Sequence, residues 1–330
     1  MNKLILLPDN NKGFEKKLLY LVQILKKCEN SLWISDCSTY WLFFIFPTIL
    51  FVARRGVKIY LITTSSNNPQ EKYRRWLLEK LGAKIYEVEK IPFSGFIVDS
   101  NQDCIALIDK NIELTPNYTD QKFNLYSFVK DKGFIDKLWN FLHSYQEEEK
   151  NNDIYSPNNL TFKPCSEDLI YERLQLVPQY QDSHFCLQNI KVDSKILMLQ
   201  MYIKPYKLIQ IKEVINDFKN YGIELFAPQK IILDEENYSI VTPPILERLG
   251  DDLVVIEGHT RIFHAFKNNY SMIKVIIVDD VKAALPGTPL SIKNVKVTSS
   301  TLPLHLLIKN FNPKNFREIE KYIHQASSWS

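Results

Sequence analysis

VVIEGHTRIFHAFKNNYSMIKVIIVD, residues 254–279, is the stretch that decides how the second half of this chain is read. The apolar run Leu253–Ile256 has the character of a buried strand. It breaks into Glu257-Gly258-His259-Thr260-Arg261 and turns at once into a helical pattern, with Ile262, Ala265 and Phe266 on one face. Asn268-Asn269-Tyr270-Ser271 makes a polar turn, and Met272–Val278 is a second apolar run. Strand, elbow, helix and strand present the elbow residues at a helix N-terminus. There the unpaired N–H groups and the helix dipole favour an anion.

Each elbow residue has a use in phosphate chemistry. Gly258 lacks a Cβ, so a phosphate could come close to the backbone. With only nine glycines in 330 residues, its presence here is not a product of loose composition. Arg261 offers a planar fork of donors matched to phosphate oxygens. His259 can donate a hydrogen bond or exchange a proton near neutral pH. Thr260 can cap the helix or bond a phosphate oxygen. Glu257 can hold a cation or take a proton from a substrate hydroxyl. The same five residues also suit a plain helix start, with Thr260 capping, Arg261 paired to Glu257 and His259 in solvent. The residues by themselves leave both readings open.

The elbow resembles the signature of the ParB/sulfiredoxin superfamily, whose members carry Gly-x-x-Arg between a strand and a helix. Sulfiredoxins place a reactive cysteine and then His-Arg after the glycine; here His259 and Thr260 stand at those first positions, which excludes sulfinic-acid reduction. The Glu-Arg-Arg of ParB partition proteins is also absent. Gly258-His259-Thr260-Arg261 is most similar to the branch containing free-serine kinases, with Glu257 in place of the more usual Asp. The resemblance spans about Lys195 to Val297. It includes Glu213–Gly222 (EVINDFKNYG) and Phe226–Leu233 (FAPQKIIL), which look like the family's helix-glycine-strand lead-in. It implies a small α+β domain that binds a nucleoside triphosphate or diphosphate with Mg²⁺. Gly258, His259, Thr260 and Arg261 would then bind the nucleotide, Glu257 and His259 would be catalytic, and Glu257 would hold the metal.

The rest of the composition limits the classes open to the chain. A hydrophobic fraction of 45% over 330 residues supports two packed domains. The net charge of +3 lies wholly in residues 1–150, with 21 basic and 18 acidic side chains against 20 of each in 151–330. Such an excess is too small to indicate a nucleic-acid footprint by itself. Five scattered cysteines without Cys-x-x-Cys spacing point away from a zinc ribbon or a disulfide framework, and fit a cytoplasmic protein. Tyr40–Ala53 (YWLFFIFPTILFVA) is uncharged but short of the roughly 20 residues a bilayer needs, and Pro47 interrupts it. A buried helix is expected there, and no membrane partner.

In the first half, element types alternate. Leu32–Ser35, Val57–Thr63, Lys84–Val88, Gly95–Val98 and Cys104–Ile108 read as strands; Tyr40–Ala53, Tyr73–Leu81 and Asp131–Gln146 read as helices. Such an order gives an α/β fold. Arg54–Tyr60 (RRGVKIY), Leu81–Ile85 (LGAKI) and Phe96–Asp99 (FIVD) together resemble one half of the phospholipase D superfamily. Active members carry His-x-Lys-x-x-x-x-Asp on the last of these strands. With Asp99 at the motif's Asp, Pro92 stands at the nucleophilic His and Ser94 at the Lys. Proline cannot form a phosphohistidine and serine brings no cation, so the resemblance implies a catalytically dead module kept for binding or for homodimerisation. Lys72, Arg74 and Arg75, interleaved with Tyr73 and Trp76, could touch nucleic acid or make a solvated helix face over a buried Trp76.

The expected organisation is a phospholipase D-like α/β sandwich over 1–150, a linker over 151–165, a ParB/sulfiredoxin-like α+β domain over 166–300 and a helical arm over 301–330. Two functions fit: a nucleotide-binding, nucleic-acid-associated or regulatory protein of the bacterial mobile-element or defence type, or a phosphotransferase acting on a small hydroxyl metabolite such as free serine.

Overall fold

The computed structural model describes residues 5–6, 13–36, 39–91, 94–99, 105–109, 126–129, 161–224, 226–232, 238–300 and 302–323. The chain divides into two compact units, Met1–Asn159 with Ser299–Thr301, and Leu160–Thr298 with Leu302–Ser330. Both mix helices with sheet, giving an α/β protein.

The first unit is built on a seven-stranded mixed sheet. Its strands are β1 (Ile5–Leu6), β2 (Ser31–Ser35), β3 (Lys58–Thr64), β4 (Lys84–Val88), β5 (Ser94–Asp99), β6 (Ile105–Asp109) and β7 (Tyr126–Val129). They lie in the order β1-β7-β6-β5-β2-β3-β4. β2, β3 and β4 are parallel, whereas β5 runs antiparallel to β2. Helices α1 (Gly13–Leu25), α2 (Leu42–Arg54) and α3 (Pro69–Lys80) supply the crossovers. α2 buries Ile45, Ile49 and Val52 completely, which explains its uncharged sequence, and Pro47 sits inside it. No helix of the described residues is long and apolar enough to cross a membrane. The Asp131–Gln146 helix and residues 151–160 of the expected 151–165 linker lie outside the described residues, while Thr161–Pro164 of that linker form a strand of the second unit.

The second unit is a helix-covered sheet. Its strands are β8 (Thr161–Pro164), β9 (His184–Lys191), β10 (Leu197–Met198), β11 (Tyr202–Ile203), β12 (Gln229–Ile232), β13 (Tyr238–Val241), β14 (Ile245–Leu249), β15 (Asp252–Glu257), β16 (Met272–Asp279), β17 (Leu290–Ser291) and β18 (Lys296–Val297). Six of them form the main sheet in the order β17-β10-β15-β14-β16-β9. Its helices are α4 (Glu167–Gln175), α5 (Pro205–Asn220), α6 (His259–Lys267), α7 (Leu304–Leu307) and α8 (Ile319–Ile323).

Both faces of this sheet are buried, and the alternation along β16 shows how. Ile273, Val275 and Ile277 point into one core with Val255 of β15 and Ile262, Phe263 and Ala265 of α6. Ile276 and Val278 point into the other, with Ile170 and Leu174 of α4 and Ile319 and Ile323 of α8. A strand buried on both faces reads as a continuous apolar run, as Met272–Val278 does.

Residues 302–323, expected as a helical arm, run back over the second unit. Arg317 is fully buried against Glu247 of β14, with Nε to Oε1 at 2.8 Å and Nη2 to Oε2 at 3.1 Å. Its remaining donors reach the carbonyls of Ala283, Ala284 and Asn315. Tyr180 donates its hydroxyl to the same Oε1 at 2.8 Å.

Candidate nucleotide site

β15, the elbow and α6 form as the periodicity predicts, and the elbow's geometry follows from three local facts. Gly258 is the N-cap of α6, with φ +85° and ψ +22°, a left-handed conformation that side chains other than glycine adopt at a cost. It has no side chain to cap with, so the helix starts without a side-chain cap. Thr260 lies inside the first turn, not at the cap position foreseen as one of its uses. The first intrahelical bond is Ile262 N–H to Gly258 O at 3.0 Å, so the N–H groups before it are those a helix leaves for outside partners.

The absent Cβ of Gly258 has a structural cause. A Cβ there would stand 2.9 Å from Cα and Cβ of Pro244 and 3.0 Å from Nη2 of Arg261. The side of the glycine foreseen as an approach for phosphate is filled by the Thr242-Pro243-Pro244 segment leading into β14. That segment also holds Arg261, whose Nη1 donates to the Thr242 carbonyl.

Arg261 is buried to all but 14% of its side chain, and Glu257 of β15 is 39% exposed. Their closest approach, Nη2 to Oε1, is 3.9 Å, too long for a hydrogen bond. Desolvation lowers the guanidinium's pKa and Glu257 opposes it, yet an arginine stays charged at any ordinary pH. A buried cation with one carbonyl partner and one distant carboxylate has donors left for an anion.

His259 is not a solvated turn residue. It is 5% exposed, and burial first of all pushes its pKa from 6.5 down to about 4. Lys207 and Arg261 push the same way; Glu257 and a hydrogen bond with the Val255 backbone oppose them. The ring is therefore neutral at pH 7, which corrects the expectation of proton exchange there. Nε2 is buried and has no hydrogen-bond partner among the described residues.

One neighbour was missed from sequence. Glu320, on α8, is brought toward Glu257 by the returning C-terminal segment. It keeps accessible surface, but desolvation of its carboxyl and the charge of Glu257 raise its pKa, while Lys207 of α5 lowers it. Its only sequence signal was its position between the apolar pair Ile319 and Ile323. Among the described residues no three His, Cys, Asp or Glu side chains gather as a metal cage, so a cation at Glu257 would need ligand oxygens as well. His264 sits one turn further on, edge-on to Tyr270 at 6.0 Å, and is a packing residue.

In the first unit the two arginines of the basic-aromatic cluster turn inward, while Lys72 is exposed and Tyr73 and Trp76 are half-buried. Arg75 bonds Glu87 at 2.9 Å and Thr63 Oγ1 at 3.1 Å, and Arg74 bonds Thr39 Oγ1 at 3.3 Å; both are buried. They hold α3 to the sheet and do not form a nucleic-acid patch. Ser94 opens β5 and Asp99 closes it, while Pro92 lies outside the described residues.

Residues 41–145 match the family described as Inactive HKD-Rease. This supports the reading of the N-terminal half as a catalytically degenerate, phospholipase D-like module. No curated protein matches the chain. Among solved structures it is similar to TrmBL2, an archaeal chromatin protein (15% identity, 44% of this chain and 52% of that one, TM-score 0.32). It is also similar to NUC, a phospholipase D family member from Salmonella typhimurium (12%, 47% and 100%, 0.34), and to polyphosphate kinase from Porphyromonas gingivalis (9%, 68% and 37%, 0.33). The chain spans about half the length of the first of these. Likenesses this distant say nothing about activity.

Proposed function

We propose that the second unit is a nucleotide-binding module of ParB/sulfiredoxin type, joined to an inactive HKD-type module in a protein that binds and regulates. The carrying observation is Arg261: a buried guanidinium at a helix N-terminus, held by the Thr242 carbonyl and 3.9 Å from the nearest carboxylate oxygen. A phosphate there would meet the charge, the first-turn N–H groups and the helix dipole together. Mg²⁺ would be shared between Glu257 and the phosphates, as such ions are held by one or two carboxylates plus phosphate oxygens. Nucleic acid is the partner we assign to the protein as a whole, in a mobile-element or defence setting. This rests on the match to an inactive HKD family.

The test is calorimetric titration of the full chain with nucleoside di- and triphosphates, at low salt with Mg²⁺. Arg261→Ala should weaken binding about ten- to a hundredfold, the range for a lost charge-assisted contact. Arg261→Lys should restore only part, because the planar fork is gone. Equal affinities for wild type and Arg261→Ala would reduce the elbow to a helix start.

The half-exposed carboxylate of Glu257, at the end of β15 next to Gly258, favours a second reading: phosphoryl transfer to a small hydroxyl compound, with Glu257 as base. Glu257→Gln separates the two. Turnover that collapses while binding survives identifies a kinase; loss of cation-dependent affinity alone identifies a binding module.

A further inference from the structure

We infer, on the reading that nucleic acid is this protein's partner, that the outward face of α3 is where a single strand is held. Tyr73 and Trp76 stack on its bases, and Lys72 and Lys80 meet its phosphates.

α3 (Pro69–Lys80) is turned against the usual rule for a helix that packs on a sheet. At roughly 3.6 residues per turn, Glu71, Arg74, Arg75 and Leu78 fall on one face, and Pro69, Lys72, Tyr73, Trp76 and Lys80 on the opposite one. The first face lies on the sheet. Leu78 is fully buried there, Glu71, Arg74 and Arg75 are nearly so, and Arg75 bonds Thr63 of β3 and Glu87 of β4. An amphipathic helix reserves that face for its apolar side chains. In α3 it holds three charged residues, and both aromatic rings stand on the far side. The buried arginines explain how the helix is fixed to the sheet. They give no reason for two rings pointing the other way.

The outward stripe has a definite geometry. Tyr73 and Trp76 are stacked, with ring centroids 5.5 Å apart and planes 25° from parallel. Nζ of Lys80 lies over the indole, 5.5 Å from its centroid. Lys72 is exposed, and Tyr73, Trp76 and Lys80 are half-buried. The two lysines stand about 12 Å apart along the helix axis, one at each end of the ring pair. Of the two acidic residues of α3, Glu71 is on the buried face and Glu79 is exposed beside the stripe. The stripe itself carries only positive charge.

The lysines decide what the rings are for. A protein partner would cover Tyr and Trp, but lysine is depleted from such interfaces. A duplex keeps its base faces stacked on one another and leaves nothing for the rings to cover. A single strand supplies both parts, base faces for the rings and phosphates for the ammonium groups, which is how sequence-tolerant single-strand sites work. Lys80 joins the two functions. A cation over a half-exposed indole is weakly held, so a base can take its place on the ring while the ammonium moves to the neighbouring phosphate. Contact of this kind is sensitive to salt and tolerant of sequence.

The test is fluorescence anisotropy of labelled oligothymidylate, oligouridylate and a DNA duplex of equal length, titrated with the full chain at low salt. A single strand should bind more tightly than the duplex, and whichever of the two binds better identifies the preferred sugar. Trp76→Leu keeps an apolar side chain on the helix and should weaken single-strand binding about tenfold, the effect of losing one base–aromatic stack. Trp76→Phe should restore most of the affinity, because a ring is present again. Lys72→Gln combined with Lys80→Gln should lower the slope of log affinity against log salt by about 1.4, two phosphate contacts at roughly 0.7 each. The slope reads the charge independently, should the Trp76 variants fold poorly. A duplex bound as tightly as the single strands, with the same dependence on Trp76, overturns the stacking. Single-strand binding unchanged in Trp76→Leu and in the double lysine variant puts nucleic acid elsewhere on the chain; the inference then fails and the partner reading stands. No binding of any of the three probes removes both.

Discussion

Two arginines of the second unit are withdrawn from solvent, Arg317 completely and Arg261 to all but 14% of its side chain, and they are used in opposite ways. Arg317 spends its guanidinium on Glu247 and three backbone carbonyls. Arg261 has the Thr242 carbonyl and a carboxylate 3.9 Å away. The first is saturated, the second is not. Burying a charge is expensive unless it is paired and hydrogen-bonded. A saturated arginine therefore reads as a strut, and an unsaturated one beside a helix N-terminus reads as a receptor. Arg74 and Arg75 of the first unit belong with Arg317, held by internal partners.

Breaking the strut should have the largest effect. Arg317→Ala leaves Glu247 buried and unpaired, and should destabilise the second unit by about 3–5 kcal/mol. Hydrogen exchange of β14 and β16 amides across a urea series reads this out. Arg317→Met with Glu247→Leu should recover most of the loss, because no orphaned charge remains.

The next effect is acid sensitivity at the receptor. His259 binds its proton near pH 6.5 when unfolded and only near 4 when folded. Its contribution is complete above pH 6.5 and is lost as pH falls toward 4, by roughly 3 kcal/mol in all. The raised carboxyls of Glu247 and Glu320 act in the opposite sense, favouring the fold as pH falls through their folded values. Comparing the stability of wild type and His259→Gln at pH 7 and pH 4.5 cancels them. An identical acid response in the two proteins would mean that the imidazole is not held neutral by burial.

Gly258→Ala should cost about 2 kcal/mol, from a left-handed backbone and a Cβ 2.9 Å from Pro244. Thermal unfolding checks it. An unchanged melting temperature with nucleotide binding abolished would return that space to the ligand. The smallest effect sharpens the contrast most: Arg261→Ala should change global stability by less than about 1 kcal/mol, because its one ion pair is long. A loss as large as that for Arg317→Ala would make both residues struts.

The local half of this picture was legible in the sequence. β2, β3, β5, α2 and α3 form close to the expected bounds, and β15, α6 and β16 follow the pattern of residues 253–278. Periodicity reports which face an element buries, not what it buries against. Hence β14 lying between β15 and β16 was invisible, as was the pairing of Glu247 with Arg317, 70 residues apart. The elbow was found by residue type, but its state was not. The room denied to a Cβ at Gly258 depends on Pro244, and the neutrality of His259 depends first on its burial and then on Lys207. Arg74 and Arg75 were misleading for the same reason, since their partners lie on other elements.

The strut also sets an order on biosynthesis. As the chain leaves the ribosome, β14 emerges with a carboxylate whose cation is encoded 70 residues downstream. Until Arg317 and the two isoleucines after it have been made, one face of the main sheet is covered only in part, by α4 with Ile170 and Leu174. The nascent second unit must wait with the rest of that apolar surface open, the condition in which chains aggregate or recruit chaperones. The seven-stranded sheet of the first unit, encoded wholly in the earlier residues, can form ahead of it. Premature termination shortly before Arg317 would therefore harm the second unit far more than the few missing residues suggest.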